Sequence, residues 1–177
     1  MNHVMFDQET LDTLPTAVML SIGAVKFDLD SDKLDPDGFY ASLSINDQLA
    51  HGRTISESTL VWWMAQDKEA QQVFVEPKQT LESALVSLSE WLGHNKRCVW
   101  SNGASFDIPM LEHAYASYGL TAPWEFWNSR CVRTYRALPG ARNVPKVEPT
   151  VAHNALHDAV AQARHMQAIQ AMLKGAL

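Results

Sequence analysis

The chain has little of several features by which function is often recognised in a sequence. It contains two cysteines, Cys98 and Cys131, and neither belongs to a C-x-x-C pair. This argues against a structural zinc site and favours reduced thiols in a cytoplasmic protein. No apolar run approaches the roughly 20 residues needed to span a bilayer. The N-terminus also lacks the charged segment and apolar stretch of a secreted protein. We therefore expect a cytoplasmic protein without a membrane partner.

An excess of basic residues is also absent. The 14 Lys and Arg are outnumbered by 20 Asp and Glu, which gives a net charge of −6. This balance does not indicate a protein that binds nucleic acid through its overall charge. The 46% of hydrophobic and 19% of charged residues are ordinary for a globular protein, and the length of 177 residues predicts a single domain over residues 1–177.

The hydrophobic pattern predicts strands first and then helices that alternate with strands. The predicted strands cover residues 4–10, 17–28, 39–45, 97–101 and 126–132. The predicted helices cover residues 56–64, 67–75, 81–92, 105–118, 132–138 and 155–173, the third of them ended by Gly93-His94-Asn95. The first three strands suit an antiparallel meander, and the last two fit parallel crossovers to the first. The order predicts an α/β or α+β sheet covered by helices.

Two carboxylates stand one residue apart at the end of the first strand. Residues i and i+2 of a strand project from the same face, so Asp7 and Glu9 would point together. Neighbouring carboxylates repel each other unless a cation lies between them, and hard oxygen ligands suit Mg²⁺ or Mn²⁺. A pair of solvated surface acids is the alternative, and D-x-E alone does not decide between them.

Two further acids follow predicted elements in a similar way. Asp107 comes shortly after the fourth strand, and Asp158 lies at the start of the last helix. His153 stands five residues before Asp158. His153 and His157 also have a zinc-like i, i+4 spacing, but no third ligand or His-Glu-x-x-His context accompanies them.

Together, the blocks Asp7-x-Glu9, Asn102-x-x-x-x-Asp107 and His153-x-Ala155-x-x-Asp158 resemble those of the DEDD 3′-5′ exonucleases. The histidine five residues before the last aspartate is similar to the DEDDh subgroup. Further residues resemble a phage-associated branch that includes phage exonuclease A and a mycobacterial exoribonuclease; they are Thr10, residues 21–25, Trp62, Trp63 and residues 131–134. The resemblance implies a ribonuclease H-like α/β fold, with a five-stranded mixed sheet flanked by helices and an antiparallel second strand.

The resemblance also implies roles for the matched residues. Asp7 would bridge two Mg²⁺ or Mn²⁺ ions, Glu9 and Asp158 would complete one metal site, and Asp107 would act at the other. Two such metals stabilise charge on the attacking and leaving oxygens of a phosphodiester. His153 would be the general base that takes a proton from the attacking water, a task that suits an imidazole near neutrality.

Substrate contacts are expected outside these five residues. The candidates are Thr10, Leu11, Trp62, Trp63, Asn102, Phe106 and Arg133. Adjacent tryptophans on a helix cannot easily both face the core. One of them could therefore stack on a nucleobase of the substrate. The alternative is that both tryptophans only pack against the protein or line its rim. Residues 126–147 hold four arginines and one lysine but no acid, which offers a path for a phosphate backbone, or a solvated basic loop.

The resemblance implies a metal-dependent 3′-5′ exonuclease that acts on single-stranded ends and releases nucleoside 5′-monophosphates. DNA is slightly favoured as the substrate, and the same chemistry on RNA is the close alternative. A catalytically idle module that binds nucleic acid or a polymerase is the rival from another class, and the presence of all five active-site residues argues against it. Relatives often pair, so a homodimer is compatible with the resemblance.

Overall fold

The computed structural model of the protein describes residues 1–93, 97–103 and 105–175. Its five strands are β1 (His3–Thr10), β2 (Met19–Phe27), β3 (Phe39–Ser42), β4 (Cys98–Ser101) and β5 (Ser129–Cys131). They form one sheet in the order β3-β2-β1-β4-β5. The β1–β2 and β2–β3 pairs are antiparallel, whereas β1–β4 and β4–β5 are parallel. The predicted mixed sheet with an antiparallel second strand is confirmed.

Helices cover both faces of this sheet. The α-helices are α1 (Ile45–Ala50), α2 (Glu57–Met64), α3 (Leu81–Leu92), α4 (Asp107–Ser117), α5 (Val132–Arg136) and α6 (Ala155–Gly175). Short 3-10 helices cover Ala70–Phe74, Phe126–Asn128 and Ala141–Asn143. Hydroxyl side chains at the N-caps of α1, α2 and α3 accept backbone N–H bonds, which explains why these helices begin where they do. None of the helices among the described residues is long and apolar enough to cross a bilayer.

The alternation of β1 divides the core into two layers. Val4 and Phe6 pack on one face of the sheet with α3 and α4. Met5 packs on the other face with α5 and α6. Because Asp7 and Glu9 share the parity of Met5, their side chains project towards the α6 side. A third cluster, which includes Leu11 and Trp63, lies beneath α2 and the 3-10 helix that follows it.

The third and fifth strands are shorter than predicted. The third strand ends at Ser42 rather than residue 45, and α1 follows it. This helix docks through Gln48, whose fully buried amide accepts a hydrogen bond from the Met19 N–H and donates one to the Met19 carbonyl oxygen. That non-local bond cannot be read from the local pattern. The last strand is also shorter than predicted, because residues 126–128 form a 3-10 turn before β5.

The structure agrees with the predictions for α3 and for the first turn of α4, but not with the helix predicted over residues 67–75. The apolar stripe of α3 is buried, and the helix ends at Gly93, which has a φ of 67°; His94 and Asn95 lie outside the described residues. Pro109 is the third residue of α4, in the first turn as predicted. In place of the predicted short helix over residues 67–75 there is a 3-10 helix of five residues.

Candidate active site

The first two of the predicted active-site acids lie at the carboxyl end of β1, the central strand of the sheet. Asp7 pairs with Gly23 of β2 and Glu9 with Ser21, and the register shifts between Glu9 and Thr10. Such an irregularity ends the regular ladder directly after the second acid. Asp7 and Glu9 therefore lie at the carboxyl end of β1, on the face of the sheet that α6 covers.

Gly23 allows α6 to start directly above this end of β1. A Cβ added to Gly23 would lie 2.1 Å from the carbonyl carbon of Ala155 and 2.3 Å from the Leu156 nitrogen. Only a residue without a side chain permits this approach of a helix to a strand backbone. The contact places the first turn of α6, with Asp158, beside Asp7.

The start of α6 is held by side chains of its own segment. The Asn154 Oδ1 accepts a hydrogen bond of 3.2 Å from the His157 N–H, as an N-cap residue does. The backbone of His153 and Asn154 lies near the Asp158 carboxylate and opposes the rise in its pKa that burial causes. His153 has a φ of 60°, an uncommon conformation for a residue other than glycine. This turn fixes both Asp158 and the histidine relative to β1.

Three of the four acids form one compact cluster. One carboxylate oxygen from each of Asp7, Glu9 and Asp158 lies within 4.8 Å of the other two. Within the described part of the chain, these three residues form the group that could hold a metal ion. The Oδ2 of Asp158 is buried and has no hydrogen-bond partner. Three convergent carboxylates with an unsatisfied oxygen fit a hard divalent cation. The zinc alternative through His153 and His157 is not supported by this grouping.

Asp107 lies outside this compact group but within its electrostatic reach. It is the first residue of α4, follows β4, and is 3% exposed. The Gln8 side chain, on the opposite face of β1 from the acid pair, donates a hydrogen bond of 2.8 Å to the main-chain oxygen of Asp107. Gln8 thereby ties the start of α4 to the strand that carries the other acids.

The electrostatics show how strongly these carboxylates disfavour being charged together. Burial, followed by the charges of Asp158 and Asp107, raises the pKa of Glu9 to about 8. Burial raises the pKa of Asp107 to about 7, although hydrogen bonds and the Arg133 charge oppose the shift. The pKa of Asp7 is raised well above its ordinary value by burial and by the other three acids. Burial also raises the pKa of Asp158. A bound cation would reverse these shifts, because it favours the charged carboxylates.

The two tryptophans of α2 have different positions. Trp63 is 2% exposed and its indole N–H donates a hydrogen bond of 2.8 Å to the Thr10 carbonyl oxygen, so it supports the end of β1 from the core. Trp62 is 44% exposed and packs edge-on against the His153 ring with centroids 4.9 Å apart. The expectation that one tryptophan faces the core is confirmed. Trp62 is the one left available to a ligand.

A pocket of about 320 Å³ opens beside the acids. We call it the β1 pocket, and it is lined by Gln8, Glu9, Thr10, Thr13, Ser58, Thr59, Trp62 and Phe106. Thr10, Trp62 and Phe106 were predicted to bind substrate, and the structure brings them together here. The prediction that Leu11 and Trp63 bind substrate is corrected by the structure. Their side chains lie in the core and are 1% and 2% exposed, so a substrate cannot reach them.

The two remaining predicted substrate residues lie on the β4 side of the acids. Asn102 is half-buried in the bend after β4. Arg133 is exposed on α5, and its guanidinium carbon would be 3.5 Å from a Cβ added to Gly103 in the same bend. Arg133 thus lies over the segment that leads to Asp107.

Sequence reasoning missed Gln162. Its amide donates a hydrogen bond of 2.7 Å to Asp7 Oδ1, while its own oxygen is buried without a partner. Gln162 lies four residues after Asp158, and residues at this spacing share a helix face. That spacing is a signal from which its position in the site could have been inferred.

The ribonuclease H-like sheet and this acid cluster define the class: the chain has the fold of DEDDh-type nucleases. The family model described as the 3′-5′ exoribonuclease Rv2179c-like domain matches residues 2–170. The chain therefore belongs to this family of 3′-5′ exonucleases, which confirms the resemblance seen in the sequence. Among curated protein sequences, none matches the chain significantly.

Two nucleases are examples of the solved structures that share the fold. Cell-death related nuclease 4 (CRN-4) is similar with a TM-score of 0.61 and 13% identity, and the match covers 96% of this chain. The chain spans 64% of the length of that protein. The nuclease domain of 3′hExo, a DEDDh family member bound to rAMP, gives a TM-score of 0.59 and 14% identity over 98% of this chain and 92% of that one.

Proposed function

We propose that this chain, as a single domain, is a 3′-5′ exonuclease that removes nucleoside 5′-monophosphates from the 3′ end of single-stranded nucleic acid. The observation that carries the proposal is the convergence of Asp7, Glu9 and Asp158, with Asp107 nearby, beside a pocket large enough for one nucleotide. Buried acids at such spacing are costly to a fold, which argues against an idle binding module.

Divalent cations are part of this proposal. Asp7, Glu9 and Asp158 would hold one Mg²⁺ or Mn²⁺, and Asp107 would join Asp7 at a second. When bound, such ions supply stabilisation of negative charge at the reacting phosphate.

The side chains around the acids have separate tasks in this scheme. His153 lies next to Asp158 without belonging to the metal-binding group, and in this proposal it would accept a proton from the attacking water. Glu9 and the Thr10 backbone would meet the terminal 3′-hydroxyl. Trp62 and Phe106, which line the β1 pocket, would contact the terminal base.

RNA is the substrate that we propose first. The sequence analysis slightly favoured DNA, whereas the matching family is described as exoribonucleases. Discrimination depends on how the pocket treats a 2′-hydroxyl. We place the enzyme in the cytoplasm, in keeping with a sequence that has only two cysteines and no C-x-x-C pair. A homodimer stays a prediction.

One gel experiment tests the proposal. RNA and DNA oligomers of the same sequence, labelled at either end, are incubated with Mg²⁺, Mn²⁺ or EDTA. A 3′ label should be released at once as a mononucleotide, and a 5′-labelled strand should shorten in a ladder. EDTA and Asp7→Asn should each abolish the reaction. Cleavage of a circular single strand would instead identify an endonuclease, and no cleavage of any substrate by the parent protein would overturn the proposal.

A further inference from the structure

Three arginines of the acid-free stretch surround a second pocket, on the α5 side of the molecule. We call this the arginine pocket. It has a volume of about 400 Å³ and is lined by Arg133, Arg136, Ala137, Ala141, Arg142 and Val144. The volume is sufficient for a phosphate with an attached sugar.

The arginine pocket is built on packed elements. Val132 and Tyr135 of α5 contact the α6 side of the core, and the Tyr135 hydroxyl donates a hydrogen bond to Gln170 of α6. Ala141, in the 3-10 helix that carries Arg142, is 1% exposed in the same core cluster. The backbone that carries the arginines is thus held in place before any ligand arrives, which reduces the ordering cost of binding.

The Arg133 charge reaches Asp107, but none of the three arginines forms an ion pair among the described residues. The two ion pairs among the described residues are Lys146–Glu148 and Lys174–Asp30, and neither includes a residue of the arginine pocket. Arg130, from the same stretch, has a different role, because its guanidinium donates to the main-chain oxygens of Trp127 and Ser129. The basic stretch is thereby divided: three arginines converge, while Arg130 and Lys146 have local partners.

The arginine pocket and the β1 pocket flank the acids. Phe106, next to Asp107, lines the β1 pocket. On the other side, Arg133 covers Gly103 in the bend that leads to Asp107. If the 3′-terminal nucleotide occupies the β1 pocket and its phosphate meets the acids, the rest of the strand leaves on the side where Arg133 lies.

We infer that the arginine pocket is a second substrate subsite, which binds phosphate groups on the 5′ side of the scissile bond. The inference rests on the proposed function and extends it, because it predicts dependence on strand length. Guanidinium groups form paired, charge-assisted hydrogen bonds with phosphate, so Arg136 and Arg142 would hold the upstream strand while the acids act on its end.

The test compares a long substrate with one that ends at the scissile phosphate. A single-stranded decanucleotide reaches the arginine pocket, whereas the p-nitrophenyl ester of a nucleoside 5′-monophosphate does not. In Arg136→Ala/Arg142→Ala, kcat/KM for the decanucleotide relative to the ester should fall by roughly tenfold or more, mainly through KM. Decanucleotide binding measured in EDTA should lose about 0.7 of its log–log salt slope for each phosphate contact removed. Arg164→Ala, which removes an exposed α6 arginine bonded to the Asp32 main-chain oxygen, should leave both quantities at parental values.

Dinucleotides with and without a 5′-phosphate identify the source of the phosphate. If the double variant loses kcat/KM on the decanucleotide whether or not the 5′ end carries a phosphate, the arginine pocket recognises internal phosphodiesters. If the double variant loses kcat/KM only on the 5′-phosphorylated dinucleotide, the arginine pocket recognises a terminal phosphate. A parental substrate ratio and salt slope in the double variant would overturn the subsite while the exonuclease proposal stands. If the parent protein hydrolyses neither substrate, the exonuclease proposal itself fails.

Discussion

Among single residues, Gln162 and His153 flank the acid cluster with different tasks. Gln162 donates to Asp7 Oδ1, and thereby orients a carboxylate that would ligate metal. His153 packs against Trp62 and lies beside Asp158 without joining the compact group of ligand oxygens. Substitution of either should lower activity, but only the first should weaken metal binding.

Gln162→Leu should raise the Mn²⁺ concentration needed for stabilisation and for activity by roughly 10- to 100-fold, the usual cost of losing a partner that orients a ligand. The measurement is a Mn²⁺ titration followed by thermal unfolding. Gln170→Leu, two turns further along α6, is the matched control and should keep parental metal affinity. Unchanged metal affinity in Gln162→Leu would show that its bond to Asp7 has no positioning role.

His153→Ala should reduce turnover by about 10²–10⁴-fold, the range for loss of a general base. Because His153 is outside the ligand cluster, the increase in Tm caused by Mn²⁺ should stay near its parental value. Asp158→Ala, by contrast, should reduce both turnover and the metal-induced increase. Near-parental turnover in His153→Ala would exclude this histidine as the base.

Among the elements, the contact between β2 and α6 determines where the last acid lies. Gly23 leaves room for the backbone of Ala155, and the first turn of α6 then carries Asp158 to the edge of β1. The same helix carries Gln162 one turn further along. The geometry of the metal-binding group thus depends on one close backbone approach.

Gly23→Ala should destabilise the protein by about 1–3 kcal/mol or more, as overpacking of a filled site does. It should also weaken Mn²⁺ binding, because α6 must move away from β1. Urea unfolding and a metal titration measure the two effects. Gly175→Ala, at a helical position with nothing within 4 Å of the added Cβ, is the control and should be neutral or slightly stabilising. Parental stability and metal affinity in Gly23→Ala would contradict this account.

For the whole molecule, the raised pKa values link stability to pH and metal. The ordinary pKa values are 3.8 for Asp107 and 4.5 for Glu9, and in the folded protein they are about 7 and about 8. The native state therefore retains protons that the unfolded chain has released. The stabilisation that comes from these retained protons is complete at a pH below the ordinary pKa values. It is lost as the pH rises through the pKa values of the folded protein.

In EDTA, the Tm should consequently fall as the pH is raised from about 5 to about 8.5, and Mn²⁺ should restore it most at the alkaline end. Glu9→Gln should reduce this slope and raise the Tm at pH 8 in EDTA, because one buried charge is gone. Glu90→Gln, at an exposed position on α3, should behave like the parent. A Tm that rises with pH in EDTA would contradict the assigned direction.

Local pattern was sufficient for the order of the strands and of the α-helices other than α1, and the resemblance of three short sequence blocks to the DEDDh exonucleases was sufficient for the acids. The side-chain period of a strand places Asp7 and Glu9 on one face whatever surrounds them, and capping residues mark helix starts. The spacing of His153 and Asp158 is likewise a property of one short segment. These features depend on residues close in sequence, so the sequence alone determined them.

Contacts between distant segments decided the rest. Gly23 is an ordinary strand residue until Ala155 packs on it, and Trp63 rather than its neighbour is buried because its indole reaches the Thr10 carbonyl oxygen. The arginines of residues 126–147 are alike in sequence, but only the packing of α5 and the following 3-10 helix against α6 makes three of them converge on one pocket. Burial and hydrogen bonding across the fold act over distances in space, not along the chain, and for that physical reason only the tertiary structure could decide them.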